Sequence, residues 1–369
     1  MTDPRPGTGA LDAARDLLAE LVDIPSPSGA EGRVADRIEA RCQALGMPVR
    51  RVASETGRDS LVIGAKSPGL VFAAHLDTIA PTWPARAIVD GDTVRGLGSA
   101  DDKGGVVACL IAARALVEAG DDLDALGVAF AFPVDEERGG SGSRTLALAL
   151  EPRYAIALEA TGLRPGTVEC GDIDAWVHVR GRAAHGALTE LGENAIHRAV
   201  ALIGALPSLE LGRFTDPLLG GSGFDVGAIR GGTEFNTVPD LCSFQLQVRL
   251  VPGQDGRQTL AAIERLAAEH GGYLELVEMT SPFETPRGSR LVAELIEVTE
   301  AAVGAAPEPI GVPAWTDAHN FVDFAGAEAV VYGPGDFSVA HLPEEQIDVG
   351  EVVRCAEVFT ALARSGWRR

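Results

Sequence analysis

In the first part of the chain, apolar residues come as short unbroken runs: Val71-Phe72-Ala73-Ala74, residues 126–132, and Ala155-Ile156-Ala157-Leu158. Runs this short, without polar alternation, suit parallel strands buried on both faces. Between them apolar positions recur at helical spacing: Leu11, Ala14, Leu17, Leu18 and Leu21; then Val34, Ile38, Cys42 and Leu45; then residues 106–117. Pro25 and Pro27 end the first helix. Ser28 and Glu31 have the form of a capping box for the second, which Gly46 closes. Short strands are expected near 51–53 and 60–63, and a proline-rich loop over 81–84.

From about 174 to 283 the period becomes two. Ala175, Val177 and Val179 alternate with Asp174, Trp176, His178 and Arg180, while Phe244, Leu246, Val248 and Leu250 alternate with Ser243, Gln245, Gln247 and Arg249. That is the pattern of an antiparallel sheet with one face in water. Helical spacing at 194–205 and 258–270, with strands near 224–229 and 273–279, completes a β-α-β-β-α-β order. After Pro286 the earlier rhythm returns: helix 291–303, strand 329–332, the sharp turn Gly333-Pro334-Gly335, and a closing helix over 352–363. The expectation is an α/β chain with a three-layer domain on a mostly parallel twisted sheet, discontinuous over 1–173 and 284–369. An α+β, ferredoxin-like domain is inserted at 174–283.

The length of 369 residues agrees with two domains. No window reaches the ~18 apolar residues of a membrane span, and residues 1–9 lack the apolar stretch of an export signal, so a cytoplasmic location is expected. A net charge of −22 argues against a nucleic-acid partner. Cys42, Cys109, Cys170, Cys242 and Cys355 are scattered and odd in number, which points to small buried side chains rather than a disulfide framework or thiolate site. Of 31 basic residues only Lys66 and Lys103 are lysines. That bias draws notice to Lys103, inside Asp101-Asp102-Lys103-Gly104-Gly105.

Candidate chemistry collects where the apolar runs stop. His75 and Asp77 end the first; residues two apart on an extended backbone face the same way, so Asp77 can hold one imidazole nitrogen and leave the other for a metal. Asp101 sits among small residues, Gly96 to Gly105, that let the backbone pass close to an ion. Asp135-Glu136-Glu137 follow the second run and repel one another unless a cation or proton relieves them. Glu159 ends the third, and His341 lies in the last loop. Each has an ordinary reading alone: a strand end, a capped glycine turn, a solvated acidic loop. Together, two imidazoles and four carboxylates without a thiolate suit zinc, cobalt or manganese. The acids outnumber what one ion needs. A pair about 3.5–4 Å apart would share a bridging carboxylate and leave one acid as a general base.

These motifs, His75-Leu76-Asp77, Ser99 to Gly105, Asp135-Glu136-Glu137, Glu159, Arg182-Ala183-Ala184-His185, Asn236-Thr237-Val238-Pro239-Asp240 and Gly333-Pro334-Gly335-Asp336 with His341, resemble in order the di-zinc acetylornithine deacetylase / succinyl-diaminopimelate desuccinylase family. The family also contains aminoacylases, glutamate carboxypeptidases and dipeptidases. The resemblance implies that Asp101 bridges two ions, His75 and Glu159 holding one and Glu137 and His341 the other. Glu136 would be the general base and Asp77 would orient His75. It further implies that the inserted domain is a lid that dimerises, that His185 stabilises the oxyanion in the partner subunit, and that Asn236, Arg249 and Gly335 contact substrate.

Departures from the family pattern are Asp102 for a common methionine, Ala160 for proline, Gly186-Ala187 for serines and Glu344 for asparagine. None removes a ligand. Glu at position 159 resembles the deacylase and carboxypeptidase members. The implied activity is hydrolysis of a linear amide, first that of an N-acyl amino acid. A dipeptidase or glutamate-type carboxypeptidase is the alternative. A non-catalytic, metal-stabilised binding protein is a further one, against which counts the presence of every ligand and of Glu136. His178, His197 and His270 read as structural, and His319 is left outside the catalytic set.

Overall fold

The computed structural model describes residues 7–80, 83 and 86–368. The loop expected over 81–84 lies, apart from Trp83, outside them, as does most of the N-terminal segment. The chain parts into two compact units. One holds Met1–Thr167, Thr285–Ile310 and Thr316–Arg369; the other holds Val168–Glu284 and Gly311–Trp315.

In the first unit the strands run side by side as Val49–Ala53, Asp59–Gly64, Val128–Phe132, Leu70–Ala73, Tyr154–Ala157 and Glu328–Val331. The last four are mutually parallel and the first two antiparallel, so the sheet is mixed. The reason is local: residues 54–58 are too short for the crossover a parallel pair requires, and they turn back as a hairpin. Three of the parallel strands, Leu70–Ala73, Val128–Phe132 and Tyr154–Ala157, are buried along their whole length, as their unbroken apolar runs anticipate.

On one face Phe72 stacks on Phe130 at 4.9 Å and meets Phe359 of the helix Val349–Arg364 at 4.7 Å. The helices Thr8–Val22 and Lys103–Glu118 pack with that closing helix. Helices Ser141–Leu150 and Ala318–Ala325 pack together and against strands of the same sheet.

One expectation is corrected. Ser28 does not cap the helix Gly32–Ala44, whose N-cap Glu31 makes no side-chain cap bond. Ser28 Oγ instead donates to Asp77 Oδ2 at 2.7 Å, while the buried Glu31 carboxylate accepts from Gly29 N and pairs with Arg58. Both side chains are drawn into the charge network behind the strand ends, and a tertiary ionic partner outweighs a local cap.

In the second unit the sheet order is Gly223–Gly231, Leu241–Leu250, Gly171–Arg180, Gly272–Met279, all antiparallel. The helices Ala195–Ala205 and Gly256–Glu269, capped by Asn194 and Asp255, cover the face carrying Ile173, Val177, Val179, Phe244 and Val248. The other face carries Trp176, His178 and Tyr273, whose rings stack in a row. A hairpin, Thr215–Asp216 with Gly220–Gly221, interrupts the simple order and has no apolar period to announce it.

Phe72 is fully buried between two other rings, so Phe72→Ala leaves a void that those rings cannot fill. The expected loss is about 3–5 kcal/mol, read as a lowered urea midpoint with unchanged slope.

Candidate metal centre

The register of the parallel strands makes the site. Ala73 lies opposite both Ala131 and Ala157, and Val331 opposite Ala157, so the strands end at one level. The ladder runs slightly beyond the strands through Ala74 N to Ala131 O, Leu76 N to Pro133 O, Leu158 N to Ala73 O and Tyr332 N to Ala157 O. His75, Glu136, Glu137 and Glu159 therefore emerge from one edge, the carboxyl edge where open α/β sheets gather ligands. Asp101 enters from the turn before the helix Lys103–Glu118, and His341 from the loop between the strands Glu328–Val331 and Gln346–Asp348.

At the centre is Asp101, whose two oxygens face different histidines. His75 Nε2 lies 2.8 Å from Oδ1 and His341 Nε2 lies 3.1 Å from Oδ2. His341 Nε2 is also 3.0 Å from Glu137 Oε2. Two sets of donors, His75–Asp101–Glu159 and Asp101–Glu137–His341, each fall within 4.8 Å and share only Asp101.

Behind this layer Asp77 is fully buried and saturated: Ser28 Oγ donates to it, as do Glu136 N and Glu137 N at 3.1 Å each. His75 Nδ1 donates to the Asp77 carbonyl at 3.0 Å, which fixes the ring and aims Nε2 at Asp101. One residue thus positions three of the expected site residues, Glu136 and Glu137 through its carboxylate and His75 through its main-chain carbonyl. Asp135 takes a left-handed backbone, φ 72°, and is held there by Ser141 Oγ at 2.7 Å and Arg58 at 2.5 Å. Gly335 is buried at φ 101°, and a side chain there would press on Ala100, Ala160 and Ile347.

Charge is concentrated where water is scarce. Burial, then repulsion from Asp101 and Glu136, pushes the Glu159 carboxyl well above its usual range. Burial and the neighbouring acids Asp317, Glu137 and Asp101 do the same to Glu136. Asp101 is held well below its ordinary value: burial opposes this, but the hydrogen bonds from His341 and His75 outweigh it. His341 rises to about 10 through its bonds to Asp101 and Glu137. His75, despite burial, is raised by Asp101 and Asp77. Imidazole protons thus sit between the carboxylates, where divalent cations would neutralise the same oxygens. The donor set of nitrogen and oxygen ligands in two groups with one shared carboxylate fits a pair of such ions.

Asp102, which stands where methionine is common, is fully buried; burial pushes its carboxyl well up, and it folds over Gly105, where a Cβ would collide with it. Lys103, singled out by its rarity, does not reach the cluster. Its Nζ donates to Ile24 O at 2.9 Å.

His185, Asn236 and Arg249 belong to the second unit and are exposed. His185 bridges to Thr237, Gly186 N donates to Asn236 O at 2.6 Å, and Ala187 N donates to His185 Nδ1 at 3.1 Å. That last bond leaves Nε2 as the protonated, donating nitrogen. Arg249 lines a cleft of this unit with Asp172, Asp174, Gln247, Glu278 and Trp315. Of the residues passed over in the sequence, Arg58 and Glu345 shape the first unit's site most directly, and Ser28, read there as a cap, does so through Asp77. Each acts on a partner distant in the chain, which no local motif announces.

The sequence pattern of peptidase family M20/M25/M40 matches residues 71–365. A Mycobacterium tuberculosis protein assigned as a succinyl-diaminopimelate desuccinylase is 31% identical over 361 residues, spanning 93% of this chain and 96% of that one. An acetylornithine deacetylase of Myxococcus xanthus is 30% identical over 379 residues, covering 95% and 96%. Among solved structures, a Staphylococcus aureus tripeptidase shares the fold, with a TM-score of 0.80 at 22% identity over 96% of this chain and 99% of that one.

Burial lowers Lys103 to about 8 from 10.5. Between those values the unfolded chain binds more protons than the folded one, so the lysine's cost to stability falls as pH rises through that window. The stability difference between wild type and Lys103→Met should shift in favour of wild type by about 3 kcal/mol from pH 8 to 10.5. Chemical denaturation of both proteins across that range measures it, with the His341 contribution cancelling in the difference.

Proposed function

The chain belongs to peptidase family M20/M25/M40, whose members depend on metal ions and hydrolyse amide bonds, and from that premise we propose that it removes the acyl group from an N-acyl amino acid. The observation that carries the reading is the bridging placement of Asp101 between two histidines, with Glu136 one residue from Glu137 on the same turn. His75 and Glu159 would hold one divalent cation, Glu137 and His341 the other, and Asp101 both. Zinc suits this donor set first, with cobalt or manganese as alternatives. Bound there, the ions would polarise the scissile carbonyl and acidify a water molecule.

Glu136 is the base in this reading. A buried carboxyl with a raised affinity for protons can take one from water and keep it until the leaving amine accepts it. Asp77 acts through others, holding the His75 ring and the Glu136 and Glu137 amides. His185, with its donor at Nε2, would stabilise the oxyanion of a partner copy's substrate in a homodimer. Asn236 and Gly335 would contact the substrate backbone, and Arg249 would grip its carboxylate in forked geometry. The names of two relatives, a desuccinylase and a deacetylase, support an acyl amino acid over a peptide.

Glu136→Gln should lower kcat by about 10²–10⁴-fold while two cations per chain remain by elemental analysis. A variant with wild-type turnover removes Glu136 from the role of base. In a panel of N-acetyl and N-succinyl amino acids against dipeptides, each with zinc, cobalt or manganese added back, the acyl compounds should turn over fastest. A clear preference for dipeptides would shift the assignment to a peptidase.

A further inference from the structure

The loop that carries His341 is tied to the loop that carries Asp101 by one side chain. Glu345 is 1% exposed, whereas its neighbour Glu344 is exposed. Glu345 Oε1 accepts from Ala100 N at 3.0 Å and from Asp101 N at 3.2 Å, two amides about two-thirds of the chain away. Its own carbonyl accepts from Gly96 N at 3.0 Å. The next residues, Gln346–Asp348, pair with Thr93–Arg95, Gln346 opposite Arg95 and Ile347 opposite Val94. The ladder therefore fixes the bases of both loops, and the three bonds of Glu345 carry its register onward to the Asp101 amide itself.

The His341 side is otherwise lightly held. The residue is exposed with φ 62°, its ring is bonded to Asp101 and Glu137, and the backbone bonds around it, Leu342 N to Val339 O and Glu345 N to Leu342 O, are internal to the loop. Asp101 is held from the opposite side by His75, which the strand end and Asp77 fix. What Glu345 controls is thus the separation of Asp101 from His341. The separation of Asp101 from His75 is set elsewhere. The two amide bonds to Glu345 are sheltered from water, where a hydrogen bond is stronger than at the surface, and both depend on the reach of its side chain.

We infer that Glu345 is a positioning residue for the second cation alone, a clamp that brings Asp101 and His341 to a common distance. The inference rests on the metal-centre reading above. Two variants separate reach from charge. Glu345→Gln keeps an acceptor oxygen at the same reach without the charge. Glu345→Asp keeps the charge but is one methylene too short to meet both amides. Cobalt titration of the apoprotein, followed by calorimetry and by the visible cobalt spectrum, counts and resolves the two sites without any turnover.

Wild type should take up two ions. Glu345→Asp should weaken one of them by about 10–100-fold, with the other unchanged, and Glu345→Gln should stay close to wild type. The unchanged site reports that the Asp variant is folded. Two wild-type affinities in Glu345→Asp overturn the clamp, as does equal weakening of both sites, or a defect in Gln larger than in Asp. Fewer than two ions bound by wild type would instead remove the metal-centre reading and the clamp with it.

Discussion

The structure turns on mutual repulsion among carboxylates that the fold forces together. Asp101, Glu136 and Glu159 are buried at one sheet edge with Glu137 half-buried beside them, and burial removes the water that would screen them. Two oxygens of Asp101 answer to two imidazoles, and the proton affinities of His75, His341, Glu136 and Glu159 are raised around it. The arrangement is costly as a stabilising device, because paired or not, buried charge gives up hydration. Such a cost is ordinary where a protein maintains an affinity for cations.

Support for the cluster comes from behind, in a layer with few ligating atoms. Asp77 collects Ser28 and the amides of Glu136 and Glu137 while its carbonyl fixes His75. Arg58 joins the buried Glu31 to Asp135, on the turn that precedes Glu136. Glu345 ties the two loops that bear Asp101 and His341. His75, Glu137 and Asp101 thus each have a partner that restricts where they can go, and this preorganisation lets the loosely held, exposed His341 meet the same cluster as the buried His75.

Much of this was legible in the chain. Unbroken apolar runs marked the parallel strands, alternation marked the antiparallel sheet, and polar residues at the ends of runs marked the cluster. The antiparallel hairpin at the edge of the first sheet was less visible, since Val49–Ala53 is half-exposed and carries arginines. Ser28 and Glu31 show how local grammar fails. Their spacing satisfied a capping box, yet each found a stronger partner across the fold, at Asp77 and at Arg58.

Residue type and order alone determined that His75, Glu136, Glu137 and Glu159 would gather at one edge of the parallel sheet, because each follows directly on a buried apolar run that ends there. They also determined the change from one sheet type to the other, because side-chain period follows backbone geometry. Tertiary structure alone decided which oxygen of Asp101 meets which histidine, that Lys103 turns away to the Ile24 carbonyl, and that Glu345 reaches back to the Asp101 amide. Those are distances between segments far apart in the chain, fixed by strand register and loop closure, and no periodicity within either segment encodes them.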